Sequence, residues 1–413
     1  METSPGDGGG FYQSLNAITQ IQRLCAGRHE VTVGTMNPAS QEVLVGLGIE
    51  SFPLPITLFD RLRFLLANGG GKMRMTAAVR AERPAGRKSA WRRWLIDLLR
   101  AVPDLVGLER RLAGRSADLV YFVAPWSRTH RLDRLPYWIT IWDLAHVEYA
   151  EFPELAADAW PRETALNKAL LRAGAVIADS TATRSTLTWR YGVEASRVIA
   201  MPFMPAPSLD DADRFSMQEV LTSLGLDRGY LFYPAQFWAH KNHVRILEAL
   251  RLCHDRGQRL RVVFAGGDKG VRGHVESVAA RLGLGGDVRF LGFVDSKALR
   301  GLYEACSAVV MPTYFGPTNL PPLEAWNIGV PLIYSCHLAE QAGDAALLVD
   351  PDDAHALADA MVAVQNPSLR RTLVDNGKKR LQALALEREI AEEEVCDRVR
   401  RLEARLRCSG AMT

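Results

Sequence analysis

The chain has 413 residues, too many for one ordinary hydrophobic core, so two domains are expected. Hydrophobic residues make up 48% and charged residues 23%, which excludes a disordered chain, and a formal net charge of +3 gives no argument for nucleic acid as a partner. Six cysteines lie far apart with no C-x-x-C pair, the usage of small buried residues or free thiols in a reducing cytoplasm rather than of a disulfide framework.

The start, Met1 to Gly10, has no apolar signal-peptide core, and no later stretch approaches the roughly eighteen apolar residues of a membrane span. The chain therefore reads as cytoplasmic. Short apolar runs alternate with amphipathic helical stretches. Glu30–Thr35, Leu119–Val123, Ile139–Asp143, Ala175–Ser180 and Arg197–Phe203 read as buried strands. Pro202–Asp213, rich in Pro, Asp and Ser, reads as a linker. A second set follows at Tyr230–Pro234, Leu260–Gly266, Val288–Gly292, Ala308–Pro312, Pro331–Ser335 and Ala346–Asp350. Helices lie between them; Leu299, Leu302, Tyr303 and Cys306 fall on one helical stripe. Pro367 to Arg407 reads as helical and highly charged. Strands buried on both faces and separated by helices mean parallel sheets, hence two doubly wound α/β domains. Such sheets bind ligands beyond the carboxyl ends of their strands.

The most informative stretch begins where a strand ends at Pro312. Thr313-Tyr-Phe-Gly-Pro-Thr-Asn forms a loop, Asn319 is suited to cap a helix, and Pro321 and Pro322 suit its first turn. A helix start of this kind is a site for a diphosphate. Glu324, within the first turns, is placed to accept two hydrogen bonds from a ribose diol. The same residues also describe an ordinary strand–loop–helix unit with a capping carboxylate. Lys241, in Tyr233-Pro-Ala-Gln-Phe-Trp-Ala-His-Lys-Asn-His, follows another strand end and can reach a phosphate from the opposite wall; alone, it would read as a solvated lysine. Gly266-Gly-Asp and Gly292-Phe-Val are further strand-end loops whose backbone can read a base edge.

The order of these segments, Pro234-Ala-Gln-Phe-Trp-Ala-His-Lys-Asn-His, Val263-Phe-Ala-Gly-Gly, Leu291-Gly-Phe-Val with Leu302-Tyr-Glu-Ala, Pro312-Thr-Tyr-Phe-Gly and Leu320-Pro-Pro-Leu-Glu-Ala, resembles the family-4 retaining glycosyltransferases of the GT-B fold, polysaccharide and O-antigen mannosyltransferases among them. The resemblance covers Tyr230 to Leu381 and extends through Ile139-Thr-Ile-Trp-Asp-Leu-Ala-His and Ala178-Asp-Ser. It implies two Rossmann-like domains facing across a cleft: 1–205 on the acceptor side, 206–390 binding the nucleotide sugar, and 391–413 as a helix returning to the first. It implies that Lys241 neutralises the leaving diphosphate, that Glu324 binds the ribose hydroxyls, and that Gly316–Leu320 present backbone amides to phosphate or sugar. Val294 would lie near the base, and Gln236, Asn242 and Gly266 on the donor wall. No metal and no cofactor is implied, since Lys241 and the helix start supply the positive charge. The partners implied are a nucleotide-sugar donor, with GDP-mannose the first candidate, and a glycan or lipid-linked acceptor.

The chain departs from that family in two places. A Glu-x7-Glu pair usually ends at the position of Glu324; here the first acid is replaced by Gly316. Amides of residues 317–319 (Pro317 has none), or the Thr318 and Asn319 side chains, are expected to hold the sugar instead. A basic residue common in the Lys241 loop corresponds to Gln236.

In the amino-terminal half, Gly8-Gly-Gly10 resembles the glycine-rich loop that follows the first strand of this fold, with Gly9 and Gly10 approaching donor or acceptor; the alternative is a loose terminus, because Met1–Pro5 cannot supply a buried strand. Trp142 stands where many relatives carry a His that touches the donor sugar. His146 either takes that role, binds acceptor or is structural; Asp143 is a helix cap or an acceptor ligand. A retaining reaction passes through an oxocarbenium-like state in which the leaving diphosphate helps deprotonate the acceptor, so no side-chain nucleophile is named.

Two other functional classes remain beside the transferase: a phosphorylase or epimerase on the same fold, and a catalytically inactive sugar-nucleotide-binding module. Finally, Lys72 to Arg115 holds twelve Lys or Arg against four acids, and Trp91-Arg-Arg-Trp-Leu-Ile-Asp-Leu-Leu-Arg within it has the pattern of an interfacial helix. It reads either as a helix packed on the first sheet or as a contact with an anionic membrane surface.

Overall fold

The computed structural model describes residues 1, 3, 9–54, 108–124, 132–157, 159–205 and 215–408. Most of the basic segment Lys72–Arg115, its interfacial helix included, and most of the linker Pro202–Asp213 lie outside the described residues. Two compact units form, Met1–Thr140 with Thr164–Val176, and Ile141–Glu163 with Ile177–Thr413.

In the first unit, β1 (Val33–Thr35) pairs in parallel with β2 (Ser51–Pro53), a strand that carries no marked apolar run. Phe11, Leu15, Ile18, Val33, Leu44 and Ile49 form its core cluster, with Met1 packed against it. Met1 lies alongside β1: its amine donates to the Gly34 carbonyl at 2.5 Å, and Met36 N–H donates to the Met1 carbonyl at 3.0 Å. Gly9 and Gly10 do not form a loop. They open the helix Gly9–Cys25, and the Gly10 carbonyl accepts the Ser14 hydroxyl at 3.0 Å. The apolar spacing of Phe11, Leu15 and Ile18 buries one face of that helix, which outweighs the poor helix propensity of glycine.

A four-stranded sheet runs β3 (Val120–Phe122), β4 (Tyr137–Ile141), β5 (Ala175–Ala178), β6 (Val198–Ala200). Every residue of β4 and β5 is buried, as a strand covered on both faces requires.

The larger sheet, in the second unit, contains β7 (Leu231–Pro234), β8 (Val262–Ala265), β9 (Val288–Phe290), β10 (Ala308–Met311), β11 (Leu332–Ser335) and β12 (Leu347–Val349). Their spatial order is β12-β11-β10-β7-β8-β9, with every neighbouring pair parallel. Each run expected from the sequence is a strand. The chain winds outward from β7 in one direction and from β10 in the other, so the order reverses between these two strands. That reversal opens a crevice beyond their carboxyl ends. The last described element is one helix, Pro367–Cys408.

Candidate donor site

The two loops that leave the sheet at its reversal point carry Lys241 and Gly316–Glu324. Lys241 follows β7 in the short 3-10 turn Ala239–Lys241, and Asn242 continues it with φ +56°, a left-handed conformation. Asn242 holds this turn by donating to the Pro351 carbonyl at 2.8 Å, and Tyr233 donates its hydroxyl to the Lys241 carbonyl at 2.9 Å. Asn242 is thus a fixing residue of the loop. The Lys241 Nζ then donates to Asn319 Oδ1 at 3.1 Å and lies 5.9 Å from the Phe315 ring centre. Burial pushes the ammonium down to about 8, and the Asp143 carboxylate pulls the other way. A half-buried cation held by a neutral amide keeps its charge available for an anion.

Gly316 has φ +118°, and a Cβ there would stand 2.6 Å from both Asn319 side-chain heteroatoms. The Asn319 amide thus fills the volume that a side chain at 316 would take. Its Nδ2 donates to the Gly316 carbonyl and to the Tyr334 hydroxyl, both at 2.7 Å, and its Oδ1 accepts Lys241. Tyr334 donates in turn to Gln341 Oε1 at 2.8 Å, while Gln341 accepts the Asn319 N–H at 2.9 Å and donates to the Asn319 carbonyl at 2.7 Å. The buried amide network is fully bonded, so it is rigid.

This corrects one expectation. Asn319 occupies the N-cap position of the helix Leu320–Ile328, yet its side chain makes no capping bond. It folds back to Gly316 and Lys241 instead. The helix also begins Leu320-Pro-Pro, and proline has no N–H. With the Asn319 N–H engaged by Gln341, Leu320 supplies the remaining first-turn donor. The helix start therefore offers fewer free N–H groups than its position suggests.

Glu324 is buried at 6% exposure and accepts the Tyr303 hydroxyl on Oε2 at 2.5 Å. Burial pushes its carboxyl up to about 7, with the Tyr303 bond opposing. The loops after β7, β8 and β9 are tied together. Gly266 is required by close approach: its Cβ would stand 2.1 Å from the Ala235 carbonyl oxygen. Gly266 N–H donates to Gly292 at 2.7 Å, and Phe237 N–H donates to Gly267 at 3.0 Å. Gln236 accepts the Trp238 indole N–H at 3.1 Å, so its carbonyl end is engaged. Val294 is half-buried beside exposed Phe293.

The segment after β4 is arranged differently. Asp143 Oδ1 accepts the Ala145 N–H at 3.0 Å and pairs with Arg162 at 2.7 Å, closing the turn ahead of the helix Ala145–Glu148, whose N-cap is Leu144. His146 is buried, with Nε2 3.0 Å from Glu163 and Nδ1 without a partner among the described residues. Burial pushes the imidazole down and Arg162 adds to this, against Glu163. Trp142 is half-buried. Asp179, at the end of β5, carried no assigned role in the sequence. It is buried, its carbonyl accepts the Thr318 hydroxyl at 3.2 Å, and Oδ2 has no partner among the described residues. Burial pushes its carboxyl up to about 8. It lines a cavity of about 410 Å³ with Ser180, Thr318, Gln341, Arg380 and Leu384. The sequence signal for Asp179 was an acid directly after a fully apolar strand; Tyr303 stood in the Leu302-Tyr-Glu-Ala segment with no site role assigned, and Gln341 and Tyr334 had no local signal. Among the described residues no group of three His, Cys, Asp or Glu is arranged to hold a metal ion.

Comparison with known proteins agrees with this architecture. Residues 228–366 match the family described as Glycosyl transferases group 1. The O-antigen chain mannosyltransferase B of Escherichia coli is 26% identical over 308 residues, 68% of this chain and 77% of that protein. The D-inositol 3-phosphate glycosyltransferase of Corynebacterium jeikeium strain K411 is 34% identical over 112 residues, 25% of this chain and 27% of that protein. Among solved structures, Anabaena HepE, in complex with UDP and glucose, has a TM-score of 0.67 at 18% identity and covers 96% of this chain and 98% of its own. WaaG, a glycosyltransferase involved in lipopolysaccharide biosynthesis, has a TM-score of 0.58 at 15% identity, covering 93% and 95%. The chain has the GT-B fold and is a glycosyltransferase. Its residues 228–366 form a glycosyl transferases group 1 domain. No helix among the described residues is long and apolar enough to cross a membrane.

Proposed function

We propose that this glycosyltransferase moves a sugar from a nucleoside-diphosphate donor, GDP-mannose the first to test, to a glycan acceptor carried on a lipid, with retention at the anomeric carbon. The observation that carries the reading is the meeting of Lys241 and Asn319 where the strand order reverses, with Glu324 buried on the same helix. In this reading Lys241 neutralises the departing diphosphate. The ionised Glu324 accepts the ribose hydroxyls, and the Asn319 amide takes the place of the acid that relatives carry at the position of Gly316. Thr318 and the Leu320 N–H complete the loop's contacts, and Val294 lies beside the base. Positive charge from a fixed lysine stabilises the leaving group in the transition state without a metal or cofactor. The leaving diphosphate assists removal of the acceptor proton.

The similarity to an O-antigen chain mannosyltransferase supports mannose as the sugar and a cell-surface polysaccharide as the product. A lipid-linked acceptor implies work at the cytoplasmic face of a membrane, and the basic composition of Lys72–Arg115 supports that placement. The test is a donor screen for nucleoside-diphosphate release and transfer by purified protein. Release from one donor, reduced by Asn319→Ala, is the expected result. Tight donor binding with no release under any condition favours the inactive binding module. Co-sedimentation with anionic but not neutral vesicles, weakened by Arg92→Glu with Arg93→Glu, tests the membrane contact.

A further inference from the structure

The short helix Pro153–Ala156 carries an acid that reaches the turn before Lys241. Glu154 is buried, its side chain 8% exposed, and it meets His240, whose side chain is 7% exposed. One oxygen, Oε1, accepts two bonds: the His240 backbone N–H at 3.1 Å and ring Nδ1 at 2.9 Å. Burial pushes the Glu154 carboxyl up, and the His240 bonds overcome it, leaving it below its ordinary range. Burial holds the imidazole down at about 4 against the Glu154 bond. The pair is therefore a carboxylate with a neutral imidazole. An ionised carboxylate only accepts, so the ring proton sits on Nδ1.

His240 is fixed on its other sides by the loop after β10. Its carbonyl accepts the Tyr314 N–H at 2.9 Å and the Thr313 hydroxyl at 3.3 Å. Its ring stacks on Phe315 with centroids 3.9 Å apart. Tyr149 stacks on Phe315 and Phe152 packs on Tyr314, so the same segment grips this loop through aromatic rings as well. Lys241 is the next residue after His240, and Gly316 is the next after Phe315. His240 thus joins the two loops that meet at the crevice, beside the Lys241–Asn319 contact, and its backbone N–H and ring Nδ1 are both held by one carboxylate oxygen.

We propose that Glu154 is a positioning residue: by clamping His240 it sets the Lys241 ammonium and the Tyr314–Gly316 loop in the single relative arrangement that both need to receive a donor diphosphate. The proposal rests on the donor site described above for its purpose, but the clamp itself is a property of the chain. Because both bonds end on one oxygen, an amide oxygen can replace it. Glu154→Gln keeps the acceptor, whereas Glu154→Ala removes it and leaves two buried donors unpaired.

The experiment joins hydrogen exchange on the full chain with calorimetric binding of GDP and UDP to the parent and both variants. In Glu154→Ala, exchange at residues 238–242 and at 313–316 should accelerate together by about tenfold, because each loop loses its fixed partner. Nucleoside-diphosphate affinity should fall by about tenfold, and Glu154→Gln should restore both readouts to within about threefold of the parent. Acceleration confined to residues 153–156, or a Gln variant indistinguishable from Ala, overturns the clamp. If the parent binds neither nucleotide, the donor reading fails, and the joint exchange response of the two loops still decides the role of Glu154. Matching thermal midpoints for the Ala and Gln variants would exclude global unfolding as the cause; a lower midpoint for Ala alone is separated from the clamp by exchange in β8 and β9, which must stay at the parental rate.

Discussion

Two polar regions of the same compact unit carried candidate site residues in the sequence, and they differ in what their side chains are doing. After β4, Asp143 is engaged by Arg162 and a backbone amide, and His146 is buried against Glu163. At the reversal of the larger sheet, Lys241 is held by an uncharged amide and Glu324 by a single tyrosine hydroxyl, so both retain bonding capacity. A charged group already paired with an opposite charge must break that pair before it can meet a ligand; one held by a neutral dipole need not. That contrast ranks the candidates better than residue type does.

The sharpest challenge to this contrast is to place an acid at position 316, where the family resemblance leads one to expect it. Gly316→Glu must force a side chain into volume held by Asn319 at a backbone conformation costing about 1–3 kcal/mol for a non-glycine residue. Transfer should fall by about a hundredfold as the Lys241 contact is lost, and thermal unfolding should shift downward. Transfer equal to or above the parent would show that position 316 is merely vacant. Next in size is Lys241→Ala, expected to lower donor turnover by about ten- to hundredfold with the fold intact by circular dichroism. Parental turnover in that variant would remove the lysine from the site.

Glu324→Gln should cost about tenfold in donor affinity, and its pH response carries more information. The parental carboxyl titrates at about 7, so donor affinity should decline as pH falls through that value, and the decline should vanish in the Gln variant. The folded protein binds this proton more tightly than the unfolded chain, whose carboxyl titrates near 4.5. The group therefore adds stability that is full below pH 4.5 and is lost as pH rises through about 7. Chemical denaturation across that range checks the sign: the Gln variant should lack this slope. The smallest effect on chemistry is expected at the other region. His146→Phe should lower stability by about 0.5–1.5 kcal/mol through the lost hydrogen bond to Glu163, which keeps the Tyr191 hydroxyl, while changing turnover by no more than about twofold. A hundredfold loss of turnover at unchanged stability would move His146 into the site.

The strands show how much was legible locally. Val262–Ala265 and Ala308–Met311 are short β-branched runs buried on both faces, and such runs have one stable use. Ser51–Pro53 was not legible, because a three-residue strand with one buried position carries no periodicity. The glycines at 9 and 10 misled, since loop-forming composition was outweighed by the apolar face of Phe11, Leu15 and Ile18.

The sequence by itself determined the parallel α/β architecture and the strand-end segments that carry Lys241 and Glu324, because burial patterns and chemical type are local properties. Only the tertiary structure decided that Asn319 turns away from its helix to fill the space at Gly316, that the His146 and Asp143 side chains are engaged by Glu163 and Arg162, and that Glu154 reaches His240 across 86 residues. Each of these depends on which partner a polar group finds once water is excluded. That choice is made by packing between segments distant in the chain, and no spacing rule within one segment records it.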